Sequence, residues 1–340
     1  MKAVRFHARG GPEVLVVEDV PAPEPGPGEV RVAVRAAALN HLDLFVRRGL
    51  PIRMEMPHVG GADFAGVVDA LGPGVAGLRP GDAVVGHPLL AWGGVPLERC
   101  GERPCGAPTI LGEERNGAFC ERLVLPAANC LPLPPALSFE AAAALPVVFI
   151  TAWSMLVERA ALRAGETLLV QGASSGVGSA AIQIGRLLGA RVLAVTSTPR
   201  LERVLSLGAH EVIDRTCERV ELRVRELTGR RGADVVFEHV GEASWESSIA
   251  SAAQHGRIVT CGATTGRFGR TNLVLVFARQ LSILGATLGS RETLATVLRL
   301  AGEGKLRPVV DRVLPLEECR RAHELLEAGD VFGKIVLRVG

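Results

Sequence analysis

The sequence predicts an α/β protein of two domains, a β-rich one and a doubly wound parallel sheet, on three observations. Its 340 residues exceed what a single hydrophobic core usually organises, so two domains of roughly 100 to 200 residues each are expected. The first 130 residues consist mainly of short alternating runs cut by Gly and Pro, the pattern of half-buried strands. From Pro134 onward, stretches with apolar residues every three or four positions alternate with short β-branched runs. A parallel sheet covered by helices requires that alternation.

In the first part the runs Val14 to Val20, Glu29 to Ala36, Gly66 to Leu71, Ala83 to Gly86 and Phe119 to Leu125 read as strands. Pro21 to Gly28, P-A-P-E-P-G-P-G, reads as a stiff loop, because proline lacks the amide proton that helix or central strand needs. In the second part the strands are placed at Thr167 to Gln171, Arg191 to Val195, Glu211 to Ile213, Asp234 to Phe237, Arg257 to Cys261 and Ser282 to Leu288. Helices fall between them. The clearest starts near Ser175 and puts Val177, Ala180, Ala181, Ile184, Leu187 and Leu188 on one face, with Gly189 as its C-terminal stop. A helix at Arg291 to Gly302, an extended segment at Pro308 to Val313, a helix at Glu317 to Ala328 and a strand at Gly333 to Val339 close the chain.

Composition narrows the function. Hydrophobic residues make up 48% and charged residues 22%, the balance of a globular protein. Net charge is only +2, with no long run of one sign, so neither nucleic acid nor an anionic membrane is expected as partner. A small molecule is. Met1 to Phe6 enters strand-like sequence without the pattern of a signal peptide, and the apolar stretch Ala141 to Ala152 is too short for the roughly 20 residues of a membrane span. Cytoplasmic residence without membrane contact is therefore expected. Seven cysteines at scattered positions suggest free, buried thiols rather than a disulfide framework.

After the first parallel strand comes Gly172-Ala173-Ser174-Ser175-Gly176-Val177-Gly178, which opens the amphipathic helix. Glycines at such a turn let the chain reverse tightly, let a pyrophosphate approach its backbone and let helix and strand pack closely. Ser174, Ser175, Gly176, Val177 and Gly178 are thus candidate cofactor contacts. Ala173 and Ser175 stand where the G-x-G-x-x-G pattern has its first two glycines, so the surrounding strand-turn-helix-strand order carries the assignment. At the end of the second strand, Val195-Thr196-Ser197-Thr198-Pro199-Arg200 has no acid before Glu202. Hydroxyls such as that of Ser197 and the Arg200 guanidinium suit a 2′-phosphate, so NADPH is expected in preference to NADH.

With these motifs in place a resemblance becomes specific. Gly60-Gly61-Ala62-Asp63-Phe64-Ala65-Gly66-Val67-Val68, Leu78-Arg79-Pro80-Gly81-Asp82-Ala83-Val84, Gly117-Ala118-Phe119-Cys120-Glu121 and Gly333-Lys334-Ile335-Val336-Leu337 resemble successive motifs of medium-chain dehydrogenases, in family order over nearly the whole chain. The resemblance implies a GroES-like β-barrel catalytic domain formed by 1–130 with 290–340. It also implies a Rossmann domain over 131–289 and an active-site cleft between the two. At the positions where zinc members carry Cys, His with an adjacent Glu, and Cys, this chain has Asn40, Ala62 with Asp63, and Val147. No catalytic metal is therefore expected. The structural-zinc lobe corresponds to Ala91 to Cys105 and keeps Cys105, with Cys100 out of register, so that zinc is not expected either. A new site using His41, His58 or His87 stays open.

Without a Lewis acid, reduction of a quinone or an α,β-unsaturated carbonyl is favoured over oxidation of a simple alcohol. The zinc-free quinone-reductase branch that the chain resembles places an Asn of A-x-x-N-x-x-D beside the nicotinamide. Here that stretch is Ala37-Ala38-Leu39-Asn40-His41-Leu42-Asp43, which makes Asn40 the candidate to orient substrate or carboxamide. Asp43 either braces that loop or caps a nearby helix. Thr151 matches a threonine near the nicotinamide ring or else caps a helix, and Val240, Gly262 and Leu288 complete the candidate cofactor contacts. The chain has no tyrosine, which leaves His41 or solvent as proton donor. Leu50, Pro51, Ile52, His87, Leu90 and Trp92 suggest an apolar substrate pocket. An alcohol or aldehyde dehydrogenase holding metal by unusual ligands, or a nucleotide-binding protein with little turnover, are the other readings. The uncharged segment Leu281 to Leu288, as an edge strand, would need covering, and the resemblance implies a homodimer or homotetramer paired there.

Overall fold

The structure is a computed structural model that describes residues 1–52, 54–90 and 109–340. The chain divides into two compact units, Met1–Val147 with Ser290–Gly340, and Val148–Gly289.

The first unit is built on a seven-stranded sheet around the long strand Glu29–Ala38. That strand pairs antiparallel with Asp63–Leu71, Arg122–Pro126 and Lys334–Arg338. Its alternation buries Val30, Val32 and Val34 in one core with Phe6, Phe64, Phe119, Leu125 and Leu337. Alternation stops at Ala36, Ala37 and Ala38, all fully buried, where small side chains let neighbouring backbone close in on both faces. Lys334–Arg338 also pairs in parallel with Val310–Pro315. Residues 131–147, assigned above to the nucleotide domain, pack with this unit instead. The cause is pairing of Cys130–Pro132 with Ala83–Gly86 and packing of helix Phe139–Ala143 on the central strands.

The second unit is a six-stranded parallel sheet. Its spatial order is Glu211–Asp214, Arg191–Thr196, Thr167–Val170, Ala233–Glu238, Ala252–Thr260 and Ser282–Gly285. Two halves thus run outward from the first strand, the doubly wound order of dinucleotide-binding sheets. Thr167–Val170 is buried at every residue, as a central strand with helices on both faces must be.

Several boundaries shift by a few residues, and three of the shifts have a local reason. The last strand stops at Gly285 rather than Leu288, because its partner ends at Thr260 and offers no further ladder. The fifth begins at Ala252, ahead of a register shift. Val14 ends a short 3-10 turn, Pro12–Val14, leaving a strand of only Val16–Asp19. The apolar stretch near residue 146 folds as two short helices, Phe139–Ala143 and Pro146–Trp153. Among the described residues no helix is long and apolar enough to cross a membrane. Among the described residues Cys120, Cys130, Cys217, Cys261 and Cys319 are free thiols; Cys120, Cys130 and Cys319 are buried as expected, whereas Cys261 is half-buried and Cys217 exposed. Cys100 and Cys105 lie outside the described residues.

Candidate active site and nucleotide loop

Asn40 is delivered by the buried end of strand Glu29–Ala38 and forms the N-cap of helix His41–Arg48. Three residues on, the Asp43 carboxylate accepts from the Asn40 amide N–H at 2.7 Å and from the Gly61 N–H at 3.0 Å. One side chain thereby caps the helix and ties it to the Gly60-Gly61 loop. Burial pushes the Asp43 carboxyl up to about 7, against the lowering effect of those N–H donors and of Lys334. Gly61 has φ +102°, and a Cβ there would sit 2.7 Å from the Phe119 ring, so this loop excludes any side chain.

Around Asn40 lies a closed polar cluster. Lys334 Nζ donates to Leu39 O at 2.5 Å, to Asn40 Oδ1 at 2.6 Å and to Asp63 Oδ2 at 3.1 Å. Asn40 Nδ2 donates to Asp63 Oδ2 at 2.9 Å, and the Val147 N–H donates to Asp63 Oδ1 at 2.8 Å. Asp63 is fully buried, and Lys334 and Asn40 nearly so. The sequence reading gives Lys334 no role of its own, although it is one of three lysines in the chain and precedes the apolar run Ile335-Val336-Leu337. A cation placed there signals a buried partner.

These residues do not fit a catalytic zinc. Ala62 and Val147 offer no side-chain donor, and both Asp63 oxygens are already engaged, one of them by an ammonium. Among the described residues no group of three His, Cys, Asp or Glu side chains could hold a metal ion. Elsewhere, the His58 ring meets Gly112 O at 3.2 Å and packs edge-on to Phe6. The His87 ring meets Leu89 O at 3.1 Å, and His41 is exposed in the first turn of its helix. Leu90 is sealed in the core and cannot line a pocket, whereas Trp92 lies outside the described residues. Thr151 is buried inside helix Pro146–Trp153, not at its end, so it caps nothing.

In the second unit, the turn after Thr167–Val170 has the geometry its glycines demand. Gly172 sits at φ +56°, and a Cβ on it would lie 2.9 Å from the His239 ring. A Cβ on Gly178 would lie 2.4 Å from Gly172 O, which fixes glycine where helix Gly176–Leu187 starts. Ser175 is the N-cap, its hydroxyl accepting from the Gly178 N–H at 2.9 Å. Arg200 Nη1 reaches back to Ser174 Oγ at 3.1 Å, so the guanidinium lies beside the turn. Ser197 opens the short turn Thr198–Arg200. Thr198, by contrast, donates to Asp214 Oδ2 at 2.5 Å. Hydrogen bonds from Thr198 and Thr216 hold the Asp214 carboxyl down to about 2. The Thr198 hydroxyl is thus engaged away from the Arg200 turn, whereas Ser197 directly precedes that turn.

Val240, Gly262 and Leu288 are half-buried and lie just past the carboxyl ends of three parallel strands, where open sheets bind ligands. Glu238 and His239, not singled out from the sequence, organise that rim. Glu238 is fully buried and accepts from the N–H groups of Val240 at 2.7 Å and Gly241 at 3.0 Å and from the hydroxyls of Ser244 and Ser248. The His239 ring lies under the glycine turn, 3.0 Å from Gln171 O, and burial lowers its pKa. A neutral ring there can donate to that carbonyl.

Comparison with known proteins agrees with this architecture. Residues 26–135 match the alcohol dehydrogenase GroES-like domain, and residues 207–337 match the zinc-binding dehydrogenase domain. The chain is 34% identical over 346 residues to the quinone oxidoreductase of Pseudomonas aeruginosa, covering 99% of each. It is 33% identical over 339 residues to the acryloyl-coenzyme A reductase of Metallosphaera sedula, again covering 99% of each. A crystal structure of an NAD-dependent alcohol dehydrogenase superposes with a TM-score of 0.95 at 51% identity, covering 100% of both chains. A GroES-like β-domain and a doubly wound nucleotide-binding sheet in one chain define an oxidoreductase that works with NAD or NADP. The chain belongs to the medium-chain dehydrogenase/reductase superfamily.

Proposed function

We propose that this enzyme reduces quinones or α,β-unsaturated carbonyls with NADPH and without zinc. The observation that carries the reading is the Asn40-Asp63-Lys334 cluster, which fills with an ammonium and an amide the place where a metal-using relative needs open donor atoms. Reduction of an activated C=C or quinone needs no alkoxide to be generated. A bound nicotinamide nucleotide would supply the hydride there, while this chain would set a hydrogen-bond donor beside the carbonyl oxygen and deliver a proton from His41 or solvent. Asn40 is the proposed donor, Asp43 holds its loop, and Thr151 is assigned to the nicotinamide side. Ser174, Ser175, Gly176, Val177, Gly178, Ser197, Arg200, Val240, Gly262 and Leu288 are the proposed cofactor contacts.

Purified enzyme is expected to oxidise NADPH with a quinone or enone and to keep that activity in excess chelator. Alcohol oxidation that depends on stoichiometric zinc and is lost when the metal is removed would sink the proposal. The alternative, an NAD-linked alcohol dehydrogenase, is favoured by the 51% identical relative and by the carboxylate of Asp214 close to the Arg200 turn.

Cofactor preference rests on Arg200 beside Ser174. A charge-assisted contact to a 2′-phosphate is worth about 1.5 to 3 kcal/mol. Arg200→Glu is therefore expected to weaken NADPH binding tenfold or more while leaving NADH binding within a few fold. Titrations giving equal affinity for both nucleotides in the unmodified enzyme would reject the assignment.

A homodimer, or a tetramer built from it, is the proposed assembly. Ser282–Gly285 is the unpaired edge of the parallel sheet, and Ile283 on it is exposed. Helix Leu273–Ala278, immediately before it, presents Leu273, Val274 and Phe277, each more than half exposed. Such a strip beside an open edge suits a second copy. Ile283→Lys is expected to yield monomers or aggregates by light scattering; an unmodified chain that stays monomeric at micromolar concentration would exclude this pairing.

A further inference from the structure

We propose that Lys334 is a positioning residue that locks the Asn40 amide so that the site offers substrate a hydrogen-bond donor and no acceptor. The proposal rests on the reading of Asn40 as the substrate-facing amide and adds a rule of selection: carbonyl and enolate oxygens are accepted, and hydroxyl groups seeking an acceptor are not.

An amide has two orientations that differ by exchange of its oxygen and nitrogen, and the surrounding groups decide between them. Here the choice is forced. Asn40 Oδ1 faces the Lys334 ammonium at 2.6 Å, and Nδ2 faces Asp63 Oδ2 at 2.9 Å. The flipped amide would set NH2 against NH3⁺ and a carbonyl oxygen against a carboxylate, two repulsive contacts in place of two charge-assisted bonds. Lys334 is itself fixed, since its three N–H donors meet three acceptors, Leu39 O, Asn40 Oδ1 and Asp63 Oδ2. Asp63 is held in turn by the Val147 backbone N–H, and Asn40 by the bond from its backbone N–H to the Asp43 carboxylate. Of the Asn40 side chain, the oxygen is consumed and one N–H is consumed. Among the described residues, the second N–H has no partner, and it is the one group this amide can offer a ligand. A carbonyl oxygen that gains negative charge on hydride addition is stabilised by it. An alcohol would find no acceptor on this side chain for its proton.

The test uses the full-length enzyme, Lys334→Met, and the charge-neutral double variant Asp63→Asn/Lys334→Met, which avoids stranding a buried carboxylate. With Lys334 absent the Asn40 oxygen loses its charged partner, and in the double variant, where Asp63 no longer carries a carboxylate to repel that oxygen, both amide orientations become accessible. Turnover number for enone or quinone reduction is expected to fall roughly tenfold to hundredfold, with KM for NADPH unchanged. Asparagine-specific 15N labelling reads the amide directly, the Asn40 signal being assigned by its loss in Asn40→Ala. Its side-chain shift should lie outside the free-amide range in the unmodified enzyme, move towards that range in Lys334→Met and reach it in the double variant. An Asn40 signal unmoved in folded variants overturns the proposal, as does a moved signal with unchanged turnover. If the unmodified enzyme reduces no carbonyl acceptor, the functional reading fails, and the labelled amide still decides whether Lys334 orients it.

Discussion

Asp63→Ala is expected to destabilise the first unit by about 3 to 5 kcal/mol, because it leaves the Lys334 ammonium buried without its carboxylate. Asp63 is fully buried and the Lys334 side chain is 4% exposed, so water cannot reach the stranded charge without opening the sheet. The loss reaches beyond the pair. Asn40 Nδ2 and the Val147 N–H lose their acceptor too, and each buried unsatisfied donor adds to the cost. The double variant Asp63→Ala/Lys334→Met should recover most of the stability, since removing both charges of a buried pair is often near neutral. Urea denaturation of the three proteins measures this. A single-variant loss below about 1 kcal/mol would mean that Lys334 is solvated and the cluster open.

His323→Leu is expected to make the enzyme less acid-labile than the unmodified chain, by about 1.4 kcal/mol per pH unit across the titration window. His323 is buried on helix Cys319–Glu327, with the Phe119 ring edge-on and neither ring nitrogen partnered among the described residues. Burial, with the Arg47 guanidinium second, lowers its pKa from 6.5 to about 3. The folded ring is then neutral while the unfolded one binds a proton. Its contribution to stability is complete above pH 6.5 and is lost as pH falls towards 3. Asp43 and Glu113, both pushed up to about 7 by burial, act oppositely over part of that window, since their folded forms bind the proton first. The informative quantity is therefore the difference between the two denaturation series from pH 7 to pH 4. Parallel curves would place a charged, partnered imidazole in the native protein.

The sequence displayed the fold through periods that survive averaging. Five of the six parallel strands run within a few residues of their expected bounds, and helix Arg291–Gly302 coincides with its expected span. Local period and glycine placement decide such elements with little help from distant residues. What stayed hidden was set by long-range pairing. Cys130–Pro132 joins the first unit only because Ala83–Gly86 lies open to it. Lys334 gains its meaning from Asn40 and Asp63, hundreds of positions away, and no window along the chain contains all three. Glu238 was hidden for a different reason: a lone acid at a strand end reads as exposed until the serines of the next helix are seen to turn towards it.

Strand Lys334–Arg338 lies inside the first sheet, between Val310–Pro315 and Glu29–Ala38. During synthesis the side of Glu29–Ala38 that takes Lys334–Arg338 stays open while the whole nucleotide unit, Val148–Gly289, is made. That unit is continuous in sequence and can fold as it emerges. The first sheet closes only after translation has passed residue 338, and the same strand brings the ammonium that completes the Asn40 cluster. Nascent chains stalled before this point should therefore bind nucleotide while their first unit is still open to proteases. Closure of the Asn40 cluster would thus come after the nucleotide unit has been made.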